Sequence, residues 1–398
     1  MTRLWDKGEA LDQRILRYTA GEDHNLDARL VRYDVQGCIA HARMLAAQGY
    51  LSSTDSSALC AGLDVLAEEH AAGQWSITLE DEDAHTAIER RLTERVGEAG
   101  ARIHLGRSRN DQVLTALRLY MKDAAEQLAK GAEAVAKSLD DLTARQGNLG
   151  LPGYTHMQTA MPSSVALWAG GFAAELRDDG AGLRRAAVRA DQNPLGSAAG
   201  YGTPGLTLDR DLTRDQLGFA SNQEPVTAVQ LSRGKAEAGL VFEISLLLTD
   251  LGRLAADLML FYTQEFAYVQ LPRSMTTGSS IMPQKRNPDV LELVRSSAAV
   301  AQGALQEILA ITAKLSSGYH RDLQRLKPPL FRAIDLAMDS GEIMAHTLRG
   351  VEFRPERIHL AAELYAAERA NRLVVEQGMP FRDAYKQVAA ELAGDEEG

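Results

Sequence analysis

The sequence is poor in cysteine, because only Cys38 and Cys60 occur among its 398 residues. Two cysteines cannot build a disulfide framework or a cysteine-based metal cluster. Long apolar runs are missing too: no stretch reaches the roughly 18 residues that a membrane helix needs, and residues 1–10 lack the apolar centre of a signal peptide. We therefore predict a soluble protein of the cytoplasm, with no membrane partner.

Positively charged residues are also fewer than negatively charged ones. The chain has 43 Lys and Arg against 54 Asp and Glu, a formal net charge of −11, and it has no basic block. Binders of nucleic acid or anionic membranes need Lys and Arg surfaces that neutralise phosphate, so we expect neither partner. A composition of 45% hydrophobic and 24% charged residues is typical of a globular protein. Any anion site must therefore be a local concentration of hydrogen-bond donors.

Proline is absent before Pro152, and the later prolines leave the proline-free segments 163–193, 226–271, 289–327 and 330–354. Because proline breaks helix interiors, we predict long helices in these segments. Apolar residues recur in alternating steps of three and four within the second segment, which supports a helix there. A helix filling that segment would be about 69 Å long. The predicted fold class is all-α, a bundle of very long helices whose apolar seams indicate an oligomer.

Three polar segments lie between the predicted helices. The first reads Gly-Arg-Ser-Arg-Asn-Asp-Gln at 106–112, where Ser108 or Asn110 can cap the helix that follows. Free amides at a helix start, together with two arginines, make an anion site. The alternative is a well-capped helix with solvated arginines, and this segment taken alone favours it.

The second polar segment reads Gly-Tyr-Thr-His-Met-Gln at 153–158, and we place it at the entrance of a helix. Burying so many polar groups is costly unless they are hydrogen-bonded. His156 can transfer protons near neutral pH if a carboxylate orients it. The alternative is a structural histidine whose hydrogen bonds are satisfied.

The third polar segment, 276–288, reads Thr-Thr-Gly-Ser-Ser-Ile-Met-Pro-Gln-Lys-Arg-Asn-Pro. Its small residues and prolines predict a loop that is mobile at the glycine and can close over a ligand. Lys285, Asn287 and backbone amides can hold a carboxylate, and Ser279 can approach the neighbouring carbon. A simple linker is the alternative, but the Pro-x-Lys-x-Asn-Pro tail argues against it.

This third segment resembles the signature Gly-Ser-Ser-x-Met-Pro-x-Lys-x-Asn-Pro of the fumarase/aspartase superfamily. Gln284 and Arg286, on either side of the lysine, make it most similar to the branch of argininosuccinate lyase and δ-crystallin. Further matches to that branch are Asp-Glu-Asp-Ala-His at 81–85, Ser-Arg-Asn-Asp at 108–111 and the segment 319–327. The resemblance extends over most of the chain.

The resemblance implies an enzyme that cleaves argininosuccinate to L-arginine and fumarate by β-elimination, without a metal or organic cofactor. It also implies a homotetramer with a central multi-helix core, in which each active site takes residues from three subunits. The domains that we expect are an N-terminal helical domain at 1–109, a central long-helix bundle at 110–352 and a short C-terminal helical domain at 353–398.

The roles of the site residues are likewise implied by the resemblance. Ser279 would remove the proton next to the carboxylate, and Lys285 would stabilise the dianionic aci-carboxylate that results. His156, oriented by Glu292, would protonate the departing nitrogen. An older view in the family makes this histidine the base, and the sequence leaves both assignments open. The implied substrate contacts are Arg109, Asn110, Thr155, Asn287, Tyr319, Gln324 and Lys327.

Two features depart from the family pattern. Asp23 stands where many relatives have a serine that contacts the substrate, so we assign it no binding role. The chain also ends soon after Tyr385, from which we expect a reduced C-terminal region. Asp83 and His85 resemble supporting residues, although a helix cap and a satisfied histidine explain them equally well. The competing functions are another fumarate-releasing lyase, of the fumarase, aspartase or adenylosuccinate lyase type, and a non-catalytic protein similar to δ-crystallin.

Overall fold

The computed structural model describes residues 12–395. Residues 1–10, which we judged to lack a signal peptide, lie outside this range. The α-helices are α1 Gln13–Ala20, α2 Asp23–Leu26, α3 Val31–Ala47, α4 Ser53–Ala71, α5 Ala84–Val96, α6 Glu98–Arg102, α7 Arg109–Gln146, α8 Val165–Ala187, α9 Arg210–Leu217, α10 Thr227–Leu231, α11 Lys235–Tyr262, α12 Asp289–Thr312, α13 Lys327–Gly350, α14 Ala366–Gln377 and α15 Phe381–Asp395. Short 3₁₀ helices occupy Asp27–Leu30, Arg273–Met275, Arg321–Leu326, Pro355–Arg357 and Ala362–Tyr365. The prediction of a mainly helical fold is therefore confirmed. No helix in the described range is long and apolar enough to cross a membrane.

The long helices follow the proline-free segments only in part. Helix α8 fills most of 163–193, and α12 begins at the predicted position but ends at Thr312. The single helix predicted over 226–271 is wrong. Gly234 has a φ of +85°, a left-handed conformation that interrupts the chain between α10 and α11. Helix α11 consequently has 28 residues, about 42 Å at 1.5 Å per residue.

Short strands are present that the sequence did not indicate. Strands β1 Gly150–Thr155 and β2 Gln158–Ser164 form an antiparallel hairpin. The second polar segment therefore lies in a hairpin that precedes α8, and our placement of it at a helix entrance is wrong. The other strands have two residues each and pair as β3 Gln192–Asn193 with β4 Ser221–Asn222, and β5 Val269–Gln270 with β6 Glu352–Phe353.

The chain divides into two compact units. The first comprises Met1–Leu128, described from residue 12 onwards, with Ala181–Ser245 and Ala299–Leu336. Helices α3, α4 and α5 pack around a core of aliphatic side chains that includes Val35, Leu45, Leu59, Leu63, Ile88, Leu92 and Ile103. An apolar face of α7 is buried at Leu114, Leu117, Met121, Ala124 and Leu128. These contacts fix the start of α7, where the first polar segment lies.

The second unit comprises Ala129–Gly180, Leu246–Ala298 and Ala337–Gly398, described as far as residue 395. Trp168 packs edge-on against Phe353, and its indole donates a hydrogen bond of 2.9 Å to Asp257. The side-chain amide of Gln146 accepts a hydrogen bond from the backbone N–H of Phe353 at 2.8 Å and donates one to its carbonyl oxygen at 2.9 Å. This unit carries the second and third polar segments. The domain boundaries given above stay a prediction.

Candidate active site

A cavity of about 120 Å³ lies in the first unit and collects polar side chains from distant parts of the chain. Its lining is Asp23, Asp27, Asp83, His85, Arg109, Asn110, Val113, Arg233, Tyr319, Arg321, Gln324 and Lys327. Among these residues are Arg109, Asn110, Tyr319, Gln324 and Lys327, five of the seven substrate contacts implied by the resemblance. The fold thus brings this part of the predicted site together.

Lys327 is a buried cation of the cavity. Its ammonium group donates to Asp27 Oδ1 at 2.6 Å and lies 3.0 Å from Asp23 Oδ2. Asp27 also accepts the backbone N–H of Ala84 at 3.3 Å. Burial opposes the charged form of the lysine, but the two carboxylates outweigh it and raise the pKa of Lys327. The lysine is therefore held in place as a charged group.

Asp23 has a different balance of forces. Burial raises the pKa of its carboxyl group, Asp27 and Asp83 raise it further, and Lys327 lowers it; the result is about 6 instead of the ordinary 3.8. A carboxylate with a raised pKa is one whose negative charge is poorly compensated by its surroundings. For Asp23 the largest cause is burial, which removes the carboxylate from water.

Arg109 and Asp83 join the start of α7 to the start of α5. The Asp83 carboxylate accepts the backbone N–H of Thr86 at 2.9 Å, which makes it the N-cap of α5. Arg109 Nη1 lies 3.3 Å from Asp83 and 3.4 Å from Glu82, and its Nη2 donates to Thr86 Oγ1 at 3.0 Å. Burial would raise the pKa of Asp83, but the charges of His85 and Arg109 and the bonds from Thr86 lower it. Asp83 is thus a capping residue, as one of the two interpretations held.

His85 pairs with a buried carboxylate. Its Nδ1 lies 2.6 Å from Asp34 Oδ2, and both side chains are almost fully buried. Burial lowers the pKa of the imidazole, but Asp34 outweighs that effect and raises it. Among the described residues, Nε2 of this histidine has no hydrogen-bond partner. His85 is therefore a lining residue of the cavity with one buried ring nitrogen that is unpaired within the described range.

Arg233 is a lining residue that the sequence analysis missed. It lies between α10 and α11, and its side chain is only 3% exposed. Its Nε and Nη1 have no hydrogen-bond partner within residues 12–395, and the nearest carboxylate oxygen, on Glu237, is 3.8 Å away. A buried guanidinium with unused donors is unfavourable without an anion. No motif surrounds it in the sequence; only its place before the helix-breaking Gly234 is a signal.

The segments that carry the lining are fixed by hydrogen bonds to their own neighbours. Gln324 Nε2 donates to the carbonyl oxygens of Thr19 and Ala20, at 3.0 and 3.1 Å, at the end of α1. Asp111 accepts the backbone N–H groups of Gly196 and Ala198 at 3.0 and 2.8 Å. The 3₁₀ helix at 321–326 and the start of α7 are thereby positioned before any ligand binds.

His156 lies at the tip of the hairpin in the second unit. His156 and Met157 are the two turn residues, with φ values of +51° and +62°, and Thr155 pairs with Gln158. Two successive residues with positive φ form the turn that matches the twist of a two-residue hairpin. Thr155 and His156 are exposed. The hairpin therefore places His156 on an exposed two-residue turn.

The loop at 276–288 is closed at its base. The backbones of Thr277 and Asn287 exchange hydrogen bonds of 3.1 and 2.9 Å, and Asn287 Nδ2 donates to the carbonyl oxygen of Gly278 at 3.4 Å. Ser279 Oγ accepts the N–H groups of Ile281 and Met282, at 3.4 and 3.2 Å. Lys285 is exposed on the loop.

The predicted site residues do not all line the cavity. Thr155, His156, Ser279, Lys285, Asn287 and Glu292 belong to the second unit and do not line the cavity of the first. Glu292 is exposed in the first turn of α12. The roles of all eleven predicted residues stay predictions.

Comparison with known proteins gives a consistent result. The sequence matches the family described as Lyase over residues 12–303. A protein named argininosuccinate lyase from Sorangium cellulosum is 48% identical over 393 residues, which cover 98% of this chain and 91% of the relative. A protein of the same name from Thermotoga neapolitana is 39% identical over 389 residues, which cover 97% of each chain.

Solved structures agree in fold. EDDS lyase in complex with formate superposes with a TM-score of 0.80 at 25% identity, covering 98% of this chain and 77% of that one. Class II fumarase from Schistosoma mansoni superposes with a TM-score of 0.77 at 18% identity, covering 94% of this chain and 87% of that one. With relatives matched over nearly its full length, the chain belongs to the lyase family, within the group of argininosuccinate lyases.

Proposed function

We propose that this protein cleaves argininosuccinate to L-arginine and fumarate by β-elimination. The observation that carries the proposal is the cavity that collects Arg109, Asn110, Tyr319, Gln324 and Lys327, the residues that the resemblance assigns to substrate binding. Relatives named argininosuccinate lyase, matched over nearly the whole of both chains, support the same substrate. We place the reaction in arginine biosynthesis in the cytoplasm.

The chemistry explains why the loop at 276–288 has its composition. The proton on the carbon beside the carboxylate is weakly acidic, and its removal places a second negative charge on that carboxylate. Fixed positive charge and amide donors must stabilise this charge in the transition state. Lys285 supplies the positive charge and Asn287 an amide in our proposal.

Ser279 is the base that we propose. A hydroxyl is a weak base unless its oxyanion is stabilised. Its Oγ already accepts the N–H groups of Ile281 and Met282, and hydrogen bonds of this kind favour the charged form of an acceptor. Closure of the loop, with the ammonium group of Lys285 nearby, would strengthen this effect by excluding water.

His156 is the acid that protonates the departing guanidino nitrogen in this proposal, with Glu292 orienting the ring. An imidazole can perform this transfer near neutral pH. Its position at the tip of a two-residue hairpin limits its freedom, and the adjacent Thr155 would contact the substrate. Precise placement of this kind contributes to catalysis because small displacements of a reacting group slow the reaction strongly.

Assembly completes the proposed site. We propose a homotetramer in which each active site takes the cavity residues from one chain, the hairpin from a second and the loop from a third. Exposed apolar side chains along the long helices support assembly, among them Leu246 of α11 and Leu293 and Val300 of α12. Apolar surface of this kind is typical of subunit interfaces.

The test is direct. Purified protein is incubated with argininosuccinate, and fumarate is followed by its ultraviolet absorbance; we expect steady release. Adenylosuccinate, aspartate and malate serve as control substrates and should give no product. If argininosuccinate releases no fumarate and one of the control substrates is turned over, the protein has a different substrate.

A further inference from the structure

A buried thiol lies between the His85–Asp34 pair and the segment that leads into α7. We propose that Cys38 is a positioning residue: its thiol links Asp34 to Arg107 and thereby fixes the start of α7, which carries Arg109 and Asn110. The inference rests on the proposed function, because Arg109 and Asn110 are the substrate contacts that the proposed reaction would use.

The first support is a continuous chain of contacts. His85 lines the cavity, and its Nδ1 lies 2.6 Å from Asp34 Oδ2. The other oxygen of that carboxylate, Oδ1, accepts the S–H group of Cys38 at 3.8 Å. The sulfur of Cys38 in turn accepts Nη1–H of Arg107 at 3.0 Å. The thiol therefore joins the pair of His85 and Asp34 to the arginine.

The second support is burial. Asp34, Cys38 and Arg107 are all buried, so water does not readily replace a lost contact. Nε of Arg107 has no hydrogen-bond partner within residues 12–395, which makes the bond from its Nη1 to the sulfur more important. Burial also raises the pKa of the Cys38 thiol to about 12. The thiol is consequently neutral near pH 7, and it can donate through its hydrogen while it accepts through its sulfur.

The third support is the position of the linked residues in the fold. Asp34 and Cys38 are four positions apart on α3, so their side chains lie on one face of that helix. The backbone N–H of Arg107 donates to the carbonyl oxygen of His104 at 3.1 Å, in the turn before α7. Helix α7 begins two residues later, at Arg109. Displacement of Arg107 from the sulfur would therefore move a segment that adjoins a predicted substrate contact.

Substitutions of Cys38 separate this role from a purely structural one. Cys38→Val keeps a buried apolar side chain that neither donates nor accepts a hydrogen bond, whereas the hydroxyl of Cys38→Ser does both. Cys38→Val should raise the KM for argininosuccinate roughly tenfold and leave kcat within about twofold, because it disturbs groups that bind the substrate. Cys38→Ser should keep KM near the wild-type value. A loss of folded protein alone would lower the apparent kcat and leave KM unchanged.

Cys60→Val is the matched control. Cys60 is the other cysteine of the chain; it is partly buried on α4 and does not line the cavity. The KM of this variant should equal that of the wild type. Cys38→Ala repeats the test with a smaller apolar side chain if Cys38→Val does not fold.

Three results would overturn the inference while the proposed function stands: an unchanged KM in Cys38→Val, equal increases in KM in Cys38→Val and Cys38→Ser, or an increase in Cys60→Val as large as in Cys38→Val. Fumarate release by the wild type is measured on the same day and with the same substrate. If the wild type releases no fumarate from argininosuccinate, the proposed function fails, and the positioning role falls with it.

Discussion

Lys327 Nζ lies 2.6 Å from Asp27 Oδ1, although 300 positions separate the two residues in the sequence. The pair joins the N-terminal segment to the first residue of α13 inside the first unit. Both side chains are buried, so the attraction between them is screened little by water. The same contact therefore serves the stability of the unit and the placement of the cavity lining.

We predict that Lys327→Met lowers the free energy of unfolding by about 3–5 kcal/mol, because it leaves the buried carboxylate of Asp27 and the partly buried one of Asp23 without their cation. Urea unfolding followed by circular dichroism measures the change. Arg332→Met is the control, since Arg332 pairs with Glu307 at 2.9 Å on the exposed surface, where such a pair contributes about 1 kcal/mol at most. A loss in Lys327→Met no larger than in the control would contradict the structural role.

The pair of His85 and Asp34 predicts a pH dependence of stability. Asp34 raises the pKa of His85 in the folded state, above the ordinary value of about 6.5. The resulting stabilisation is complete below about pH 6.5 and is lost as the pH rises through the folded-state pKa. The difference in free energy of unfolding between wild type and Asp34→Asn should therefore be larger near pH 6 than near pH 9. A difference that grows towards pH 9 would refute this pairing.

Ser279→Ala should lower kcat by roughly a hundredfold or more, the usual contribution of a base, while argininosuccinate still binds. Fumarate absorbance measures turnover, and calorimetry measures binding. Ser280→Ala, the neighbouring hydroxyl on the same loop, is the matched control and should keep most of the activity. Near-normal turnover in Ser279→Ala would remove this serine from the role of base.

Shared sites predict complementation between inactive variants. His156→Asn and Ser279→Ala are each expected to be inactive, and mixing and reassembling them should restore activity to about a quarter of the sites, since each position is independently wild type in half of the chains. Native mass spectrometry confirms that mixed tetramers form. Mixed tetramers without any recovered activity would show that both residues come from one chain.

The turn at the hairpin tip predicts a large difference in kcat between two substitutions of Met157. Its φ of +62° suits glycine but strains a β-branched side chain. Met157→Ile should displace His156 and lower kcat by about tenfold or more, since small misplacements of a catalytic group are costly. Met157→Gly should keep kcat near the wild-type value. Equal kcat values for the two variants would mean that the turn does not position the imidazole.

The helical part of the fold could be predicted because its signals are local. The apolar residues of α11 that recur in alternating steps of four and three are all buried, as their spacing indicated: Leu240, Ile244, Leu247, Leu251, Leu254, Leu258 and Phe261. The hairpin could not be predicted in the same way. Its turn is formed by His156 and Met157, and neither residue type is a strong turn signal such as Asn-Gly. The break at Gly234 was missed because a single glycine does not usually end a helix.

The cavity contains residues that the family resemblance could identify and others that it could not. Its motifs identified Arg109, Asn110, Tyr319, Gln324 and Lys327, which the fold brings together from separate parts of the sequence. How close these five side chains lie depends on tertiary packing, which no local sequence pattern encodes. Residues outside a motif, such as Arg233, become visible only when burial and unpaired atoms can be measured.

Helix α13 begins at Lys327 and continues directly with Pro328 and Pro329. The pyrrolidine rings fix φ in the helical range and need no hydrogen-bond acceptor in the first turn. The unfolded chain is already restricted at these positions, so less conformational entropy is lost when the lysine is set in place. The two prolines therefore lower the entropic cost of fixing the first turn of α13, the turn that carries Lys327 into the cavity lining.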